Sequence, residues 1–241
     1  MTVFYTEPSS QFAGWIYIQD DPAKAIIQTT RASSQPPSFS YVHINLFCDC
    51  SRSTTSNHGG IAVAYRPWLP GISSTDVITA AWPVDPLYNT TVGELLAISE
   101  CTAIATEQIC QFAQLCLPIV QPVVVRIFSD SQDGLAHLQG MVALRHDINL
   151  LTRPVLDHIA LQSAALHHLD ANVHLELHWI PGHGHEVQPH VMADTYSRFA
   201  RICQTGYSTV TRNHWQLPEE PSVLSTCASS WLTQLLKQPF T

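Results

Sequence analysis

Two hydrophobic periods succeed one another along this chain, and their order restricts it to a small set of folds. From Tyr41 onward, Val42, Ile44, Leu46, Cys48 and Cys50 alternate with His43, Asn45, Phe47 and Asp49, the period of two that a half-buried strand requires. A polar stretch from Ser51 to Gly60 turns the chain into a second strand, Ile61–Arg66, and Val77–Trp82 reads as a third. At Thr91-Val-Gly-Glu94 the period changes. Leu95, Ile98, Thr102, Ala105 and Ile109 fall at helical spacing, and Thr91 with Glu94 fits a capping box opening a long helix. The β-branched run Val123–Phe128 suits a buried strand, which ends at Ser129-Asp130-Ser131 before a short helix, Gln132–Leu138.

Thr152 and Pro154 open a further helix with Leu156, Ile159, Ser163 and Leu166 on one stripe, and Val173, Leu175, Leu177 and Trp179 alternate as another strand. The loop Pro181-Gly-His-Gly-His185 leads to a last helix from His190 to Cys203, whose apolar face is expected to use Val191, Met192, Tyr196 and Phe199. This order predicts an α/β fold: a mixed five-stranded sheet, its first three strands antiparallel, with helices on both faces. The expected organisation is an N-terminal extension and linker over 1–40, with strand-like Trp15–Ile18, helix-like Ala23–Thr30 and the linker composition Ser33–Ser38. A domain over 41–206 follows, and then a tail over 207–241 with an apolar patch at Trp231, Leu232, Leu235 and Leu236.

Composition narrows the function classes. Of 241 residues, 45% are hydrophobic and 12% charged, which supplies a core and argues against wholesale disorder. No apolar run approaches the ~20 residues of a membrane span. The start, Met1–Pro8, has neither a basic nor an apolar signal region, so no membrane partner and no secretion are expected. Seven cysteines, odd in number and unevenly spaced, do not form a disulfide framework, and an intracellular location, cytoplasmic or nuclear, follows as the expectation. Lys and Arg number 11 against 19 acids, for a net charge of −8, and the only lysines are Lys24 and Lys237. A broad electrostatic grip on phosphates is therefore not the way this chain would hold nucleic acid.

Four acids stand where chemistry tends to gather. Asp49 and Asp130 close strands, and ligands of open α/β sheets collect at the carboxyl ends of strands. Glu94 lies early in one helix and Asp194 near the start of the last. Acids that converge without basic partners repel one another unless cations stand between them, and paired Mg²⁺ ions ~4 Å apart can activate water and stabilise a leaving oxygen. Each acid also has a plainer explanation. Glu94 fits a capping box, Asp130 a helix N-cap, Asp49 a turn, and Asp194 an exposed helix face. Cys48 and Cys50 read as core side chains opposite Asp49, and a zinc site at His183, His185 and His190 lacks partners at familiar spacing.

Phe47-Cys-Asp49-Cys-Ser51 is followed by Gly59-Gly60-Ile-Ala-Val, Val92-Gly-Glu94-Leu-Leu-Ala-Ile98, Ile127-Phe-Ser-Asp130-Ser-Gln132, His178-Trp-Ile-Pro-Gly-His183 and Ala193-Asp194. In this set and order, over residues 41–206, the chain resembles the ribonuclease H family, specifically its type 1-like domain. The resemblance implies an RNase H-like fold and an endonuclease, a phosphodiester hydrolase that cuts the RNA strand of RNA/DNA hybrids with two divalent ions, Mg²⁺ or Mn²⁺. It implies Asp49, Glu94, Asp130 and Asp194 as metal ligands and His183 as the mobile loop histidine that moves a proton or releases product. Ser51, Ser131 and Gln132 become candidates for substrate binding, with hydrogen bonds to the 2′-OH distinguishing RNA.

The chain departs from the family pattern at Cys50, which stands where the family commonly has Gly, and at His190, where it often has Asn. The family's basic protrusion is reduced to Arg145, His146 and Arg153. A second reading follows from these departures, the −8 charge and the apolar tail: an RNase H-like domain repurposed as a binding or assembly module, its tail docking a protein partner. A third is an enzyme for another metal-dependent substrate, since fold does not fix function.

Overall fold

The structure, a computed structural model, describes residues 2–5, 12–34, 41–67, 76–115, 121–140, 152–169, 172–182, 187–204 and 207–208. The elements are, in chain order, β1 (Thr2–Tyr5), β2 (Trp15–Ile18), α1 (Pro22–Ser34), β3 (Val42–Arg52), β4 (Gly59–Tyr65), β5 (Ile78–Val84), α2 (Thr90–Leu115), β6 (Val123–Ser129), α3 (Gln132–Gly140), α4 (Arg153–Leu169), β7 (Val173–Trp179), α5 (Gln188–Cys203) and β8 (Tyr207–Ser208). They form one mixed sheet in the order β1-β2-β7-β6-β3-β4-β5-β8. β3, β4 and β5 are antiparallel, whereas β6 runs parallel to β3 and β7 parallel to β6.

The α/β class and the antiparallel opening agree with the sequence reading, but among the described residues the sheet has eight strands where five are expected. Five of them, β5-β4-β3-β6-β7, come from the run of periods described above. The others cover its two edges: β2 pairs parallel with β7 and β1 antiparallel with β2, while β8 pairs with β5. An uncovered edge would leave a row of backbone N–H and C=O groups without ladder partners, and short flanking segments relieve that. Trp15–Ile18 carries the strand composition, but its pairing with Glu176–His178 joins segments far apart in sequence.

Burial follows the strand period. Ile44, Leu46, Cys48 and Cys50 join Val123, Val125, Ile127, Val173, Leu175 and Leu177 in a core closed by Leu95, Ile98, Cys101 and Ala105 of α2 and by Leu156, Ile159 and Leu166 of α4. The α4 stripe is thus the one its sequence spacing predicts. Among the described residues no helix is long and apolar enough to cross a membrane.

The opposite face is built differently. α5 packs against β3, β4 and β5, and its buried residues are Pro189, His190, Ala193, Ser197 and Ala200. Of the expected apolar face of Val191, Met192, Tyr196 and Phe199, none is fully buried: Tyr196 packs half-buried against Ala62, Ala81 and Ala200, and Phe199 is 41% exposed. The reason lies in the partner surface. Ala62 and Ala81 meet Ala200, and Gly60 brings the β4 backbone so close to α5 that a Cβ there would overlap the carbonyl of Ser197 and the amide of Arg201. Close approach of backbones selects small side chains on both sides, not large apolar ones.

This packing makes a sharp prediction. Because the atoms around a Cβ at residue 60 are backbone, they cannot rotate away, so Gly60→Ala should lower stability by about 1–3 kcal/mol. Urea unfolding of the two proteins measures it, and an unchanged midpoint would mean that the helix and strand are not held this closely.

Candidate metal centre

The site is set by where the parallel pairing stops. β3 remains paired with β4 out to Arg52, but its ladder with β6 ends at Phe47↔Phe128. Asp49 is therefore two residues beyond the last β6 pair, inside a strand that is supported on one side only. It is not a turn residue. Asp130 follows directly on the end of β6. The notch between them is the kind of crevice that open sheets form at carboxyl ends of strands.

Local capping directs the other acids. Asn89 Oδ1 accepts the backbone N–H of Thr91 at 2.8 Å, so Asn89 caps α2 in place of the expected Thr91–Glu94 box. Glu94 then falls in the second turn and is buried, not reaching back along the helix. Ser131 Oγ accepts the N–H of Gly134 at 3.0 Å and caps α3, so Asp130 is not the cap either. Cys50 points towards α2, where a Cβ on Gly93 would collide with its Sγ. The thiol thus fills space that the helix leaves for it.

Asp49, Glu94 and Asp130 come together, each offering a carboxylate oxygen within 4.8 Å of the others. Asp49 and Glu94 are buried, at 6% and 5% exposure. Burial raises the Asp49 pKa to about 7, the Ser197 hydrogen bond opposes the rise, and the Asp130 and Asp194 charges add to it. Glu94 is pushed well above the usual carboxyl range by burial and then by the charges of Asp49 and Asp130, against the backbone N–H of Cys50. Its Oε2 is buried and makes no hydrogen bond. An all-oxygen donor set with an orphaned, buried carboxylate oxygen is what a hard divalent cation satisfies, and the three acids could hold such an ion.

The other residues singled out by sequence lie at varying distances from this cluster. Asp194 is not among the three converging acids; its Oδ1 pairs with Arg198 Nη2 at 2.8 Å, one helical turn on, although its charge is felt at Asp49. Ser131 and Gln132 line a cleft of 460 Å³ beside Glu94 and Asp130, with Thr90, Thr91, Asp133 and Trp179. Ser51 stands two residues past Asp49 on β3, opposite Gly60. His183 and His185 fall outside the described residues, as does the apolar patch of the tail. Cys48 and Cys50 are free, buried and part of the core, as expected.

Three contacts at the site escaped the sequence reading. Ser197 Oγ lies 2.5 Å from Asp49 Oδ2. His190, 2% exposed, places Nε2 4.0 Å from Asp130 Oδ2. Trp179 Nε1–H donates to the Asp130 carbonyl at 3.1 Å. A usable signal was present in the spacing of His190, Ala193, Ser197 and Ala200, a stripe of small and polar residues at three- and four-residue intervals.

Raised carboxyl pKa values fix a direction for stability against pH. A carboxyl whose folded pKa lies above its unfolded value favours folding fully below the unfolded value, and that contribution is lost as pH rises through the folded one. For Asp49, with its folded pKa at about 7, the loss is at most about 4 kcal/mol. Glu100, buried elsewhere on α2 and raised to about 7 by burial, adds to the same trend. The metal-free protein should melt at a lower temperature at pH 8.5 than at pH 5.5. Millimolar Mn²⁺ should restore the part due to the cluster at pH 8.5, and Glu100→Gln the remainder. Melting curves with EDTA or Mn²⁺ at the two pH values test this; equal melting at both would remove the electrostatic argument.

No protein-family model matches this chain and no curated protein matches it, so the geometry of the site carries the functional reading.

Proposed function

We propose that the chain is a metal-dependent endoribonuclease of the ribonuclease H type, hydrolysing the RNA strand of RNA/DNA hybrids. The observation that carries this reading is the convergence of Asp49, Glu94 and Asp130, with a buried, unbonded Glu94 Oε2, at the carboxyl end of β6. The strand order β5-β4-β3-β6-β7, antiparallel and then parallel, supports it as the arrangement that the sequence resemblance implies. The order and identity of the motif residues support it from the side of sequence.

On this reading Asp49, Glu94 and Asp130 hold Mg²⁺ or Mn²⁺, two ions in the full assembly. Divalent ions held there supply Lewis-acid stabilisation of the phosphodiester and a water of lowered pKa. The protein's own residues do the rest. Asp194 completes the acid set by exchanging Arg198 for the site. Ser131 and Gln132, on the wall of the cleft beside Asp130, are placed to hydrogen-bond the sugar edge of the RNA strand, where the 2′-OH separates RNA from DNA; Ser51 serves from β3. His183, flanked in sequence by Gly182 and Gly184, is the residue that the resemblance assigns to moving the proton of the leaving group, chemistry for which an imidazole is suited. The Trp179 indole, bonded to the Asp130 backbone, holds the end of β6 against the end of β7.

The second reading, a binding module with retained acids, draws on the Asp194–Arg198 pair, which engages the fourth acid elsewhere. The two separate in one assay. Purified protein is incubated with labelled RNA/DNA hybrid, duplex DNA and single-stranded RNA in Mg²⁺ and in Mn²⁺, beside Asp130→Asn. Cutting confined to the RNA strand of the hybrid, dependent on the metal and reduced at least about a hundredfold in the variant, is the expected result. A folded protein that binds the metal and cuts nothing would overturn the nuclease and leave the binding module.

A further inference from the structure

α5 reaches the acid cluster through a side chain that packing does not require. Ser197 is fully buried, on the stripe His190, Ala193, Ser197 and Ala200 that lies against β3 and β4. Its neighbours on that stripe, Ala193 and Ala200, fill the close contact with a methyl group alone. A hydroxyl at residue 197 must therefore be explained by its bonds. Two acceptors stand within reach: Asp49 Oδ2 at 2.5 Å, 148 residues away in sequence, and the Asp194 carbonyl at 2.9 Å, one turn back on the same helix. The hydroxyl has one proton, and a nearby carboxylate at the shorter distance is the stronger acceptor.

We infer that Ser197 is a positioning residue for the metal centre, fixing the Asp49 carboxylate from α5 so that it keeps one orientation towards Glu94 and Asp130. The inference rests on the proposed metal centre. Asp49 needs such support because β6 ends short of it, so on that side no strand neighbour confines its side chain. The same stripe brings His190 Nε2 to 4.0 Å from Asp130 Oδ2, too long for a hydrogen bond but close enough to crowd the second acid. One helix face thus touches two of the three acids, each at Oδ2. The plain alternative is a serine that only returns its proton to the carbonyl three residues earlier, as helical serines do.

Mn²⁺ titration calorimetry on the full chain tests the inference, with Ser197→Ala and Ser197→Cys beside wild type and each protein's metal-free melting recorded. A positioning hydroxyl predicts Mn²⁺ affinity 10–100-fold weaker in the folded fraction of both variants, beyond whatever metal-free melting loses with the hydrogen bond. A merely structural serine predicts lower melting alone, and a folded fraction that binds Mn²⁺ as wild type does. That outcome, wild-type affinity in either folded variant, or failure of both variants to fold, overturns the inference. Wild type that binds no Mn²⁺ overturns it together with the metal centre. Wild type that binds Mn²⁺ but leaves the hybrid uncut overturns the nuclease alone and leaves Ser197 in its role.

Discussion

Three carboxylates held within 4.8 Å of one another, two of them buried, are an unfavourable arrangement, and much of the nearby architecture acts to hold it. Burial and mutual repulsion both disfavour the charged forms, as the raised pKa values of Asp49 and Glu94 express. Left to themselves the side chains would rotate apart. They do not, because each is carried by a different rigid element: Asp49 by β3, Glu94 by α2 and Asp130 by the end of β6. Strain of this kind tends to be stored where a ligand relieves it. Here the orphaned Glu94 Oε2 marks the place where a cation would do so.

The elements are held in turn by differences in length and side-chain size. β6 stops two residues before Asp49, which opens the notch, while β4 continues beside β3 and keeps the exposed end of that strand straight. On one face, Cys50 and Gly93 fit each other and bring the second turn of α2 up to the strand. On the other, Gly60, Ala62, Ala81 and Ala200 allow α5 to sit directly on the sheet. Replacing any of these small residues by a larger one would displace a helix that carries or supports an acid. The side chain of Cys50 has its structural counterpart in the missing one at Gly93.

How much of this is legible in sequence depends on whether the determining contact is local. The alternation of Val42 to Cys50, the stripe of α4 and the run Val123–Phe128 report burial within a single element, and each coincides with an element of the fold. The strands at the edges depend on partners far away in the chain: nothing within Trp15–Ile18 announces that it will meet Glu176–His178. The face of α5 was misread for a related reason. Phe199 looks like a core residue until the opposing surface is known to be glycine and alanine, against which the helix backbone lies so close that the buried positions go to small side chains, with Tyr196 packed at their margin. The cap of α2 was misplaced by one feature, since Asn89 lies before a threonine pair that resembles a capping box.

The same distinction explains which parts of the site sequence could identify. A carboxylate near the end of a strand or in an early helical turn stands out by its position, as Asp49, Glu94 and Asp130 do, but only the resemblance of the motifs, and not their positions, implies that the three converge. The groups that orient those carboxylates belong to other elements, and their role exists only once the elements have packed. Ser197 is an unremarkable residue until α5 lies on β3 and brings its hydroxyl to Asp49. Asp194 shows the converse. Its place in the sequence marks it as a member of the acid set, yet Arg198, four residues on and thus on the same helical face, engages its carboxylate locally. A pair of this kind, with Arg198 exposed and Asp194 partly so, contributes little to stability, about 0–1 kcal/mol, so Arg198 is a weak hold on Asp194. A cation bound by the other three acids would attract that carboxylate at short range while leaving Arg198 free in solvent. The local ion pair and the distant acid cluster therefore compete for one side chain, and the charge at the centre of the cluster decides between them.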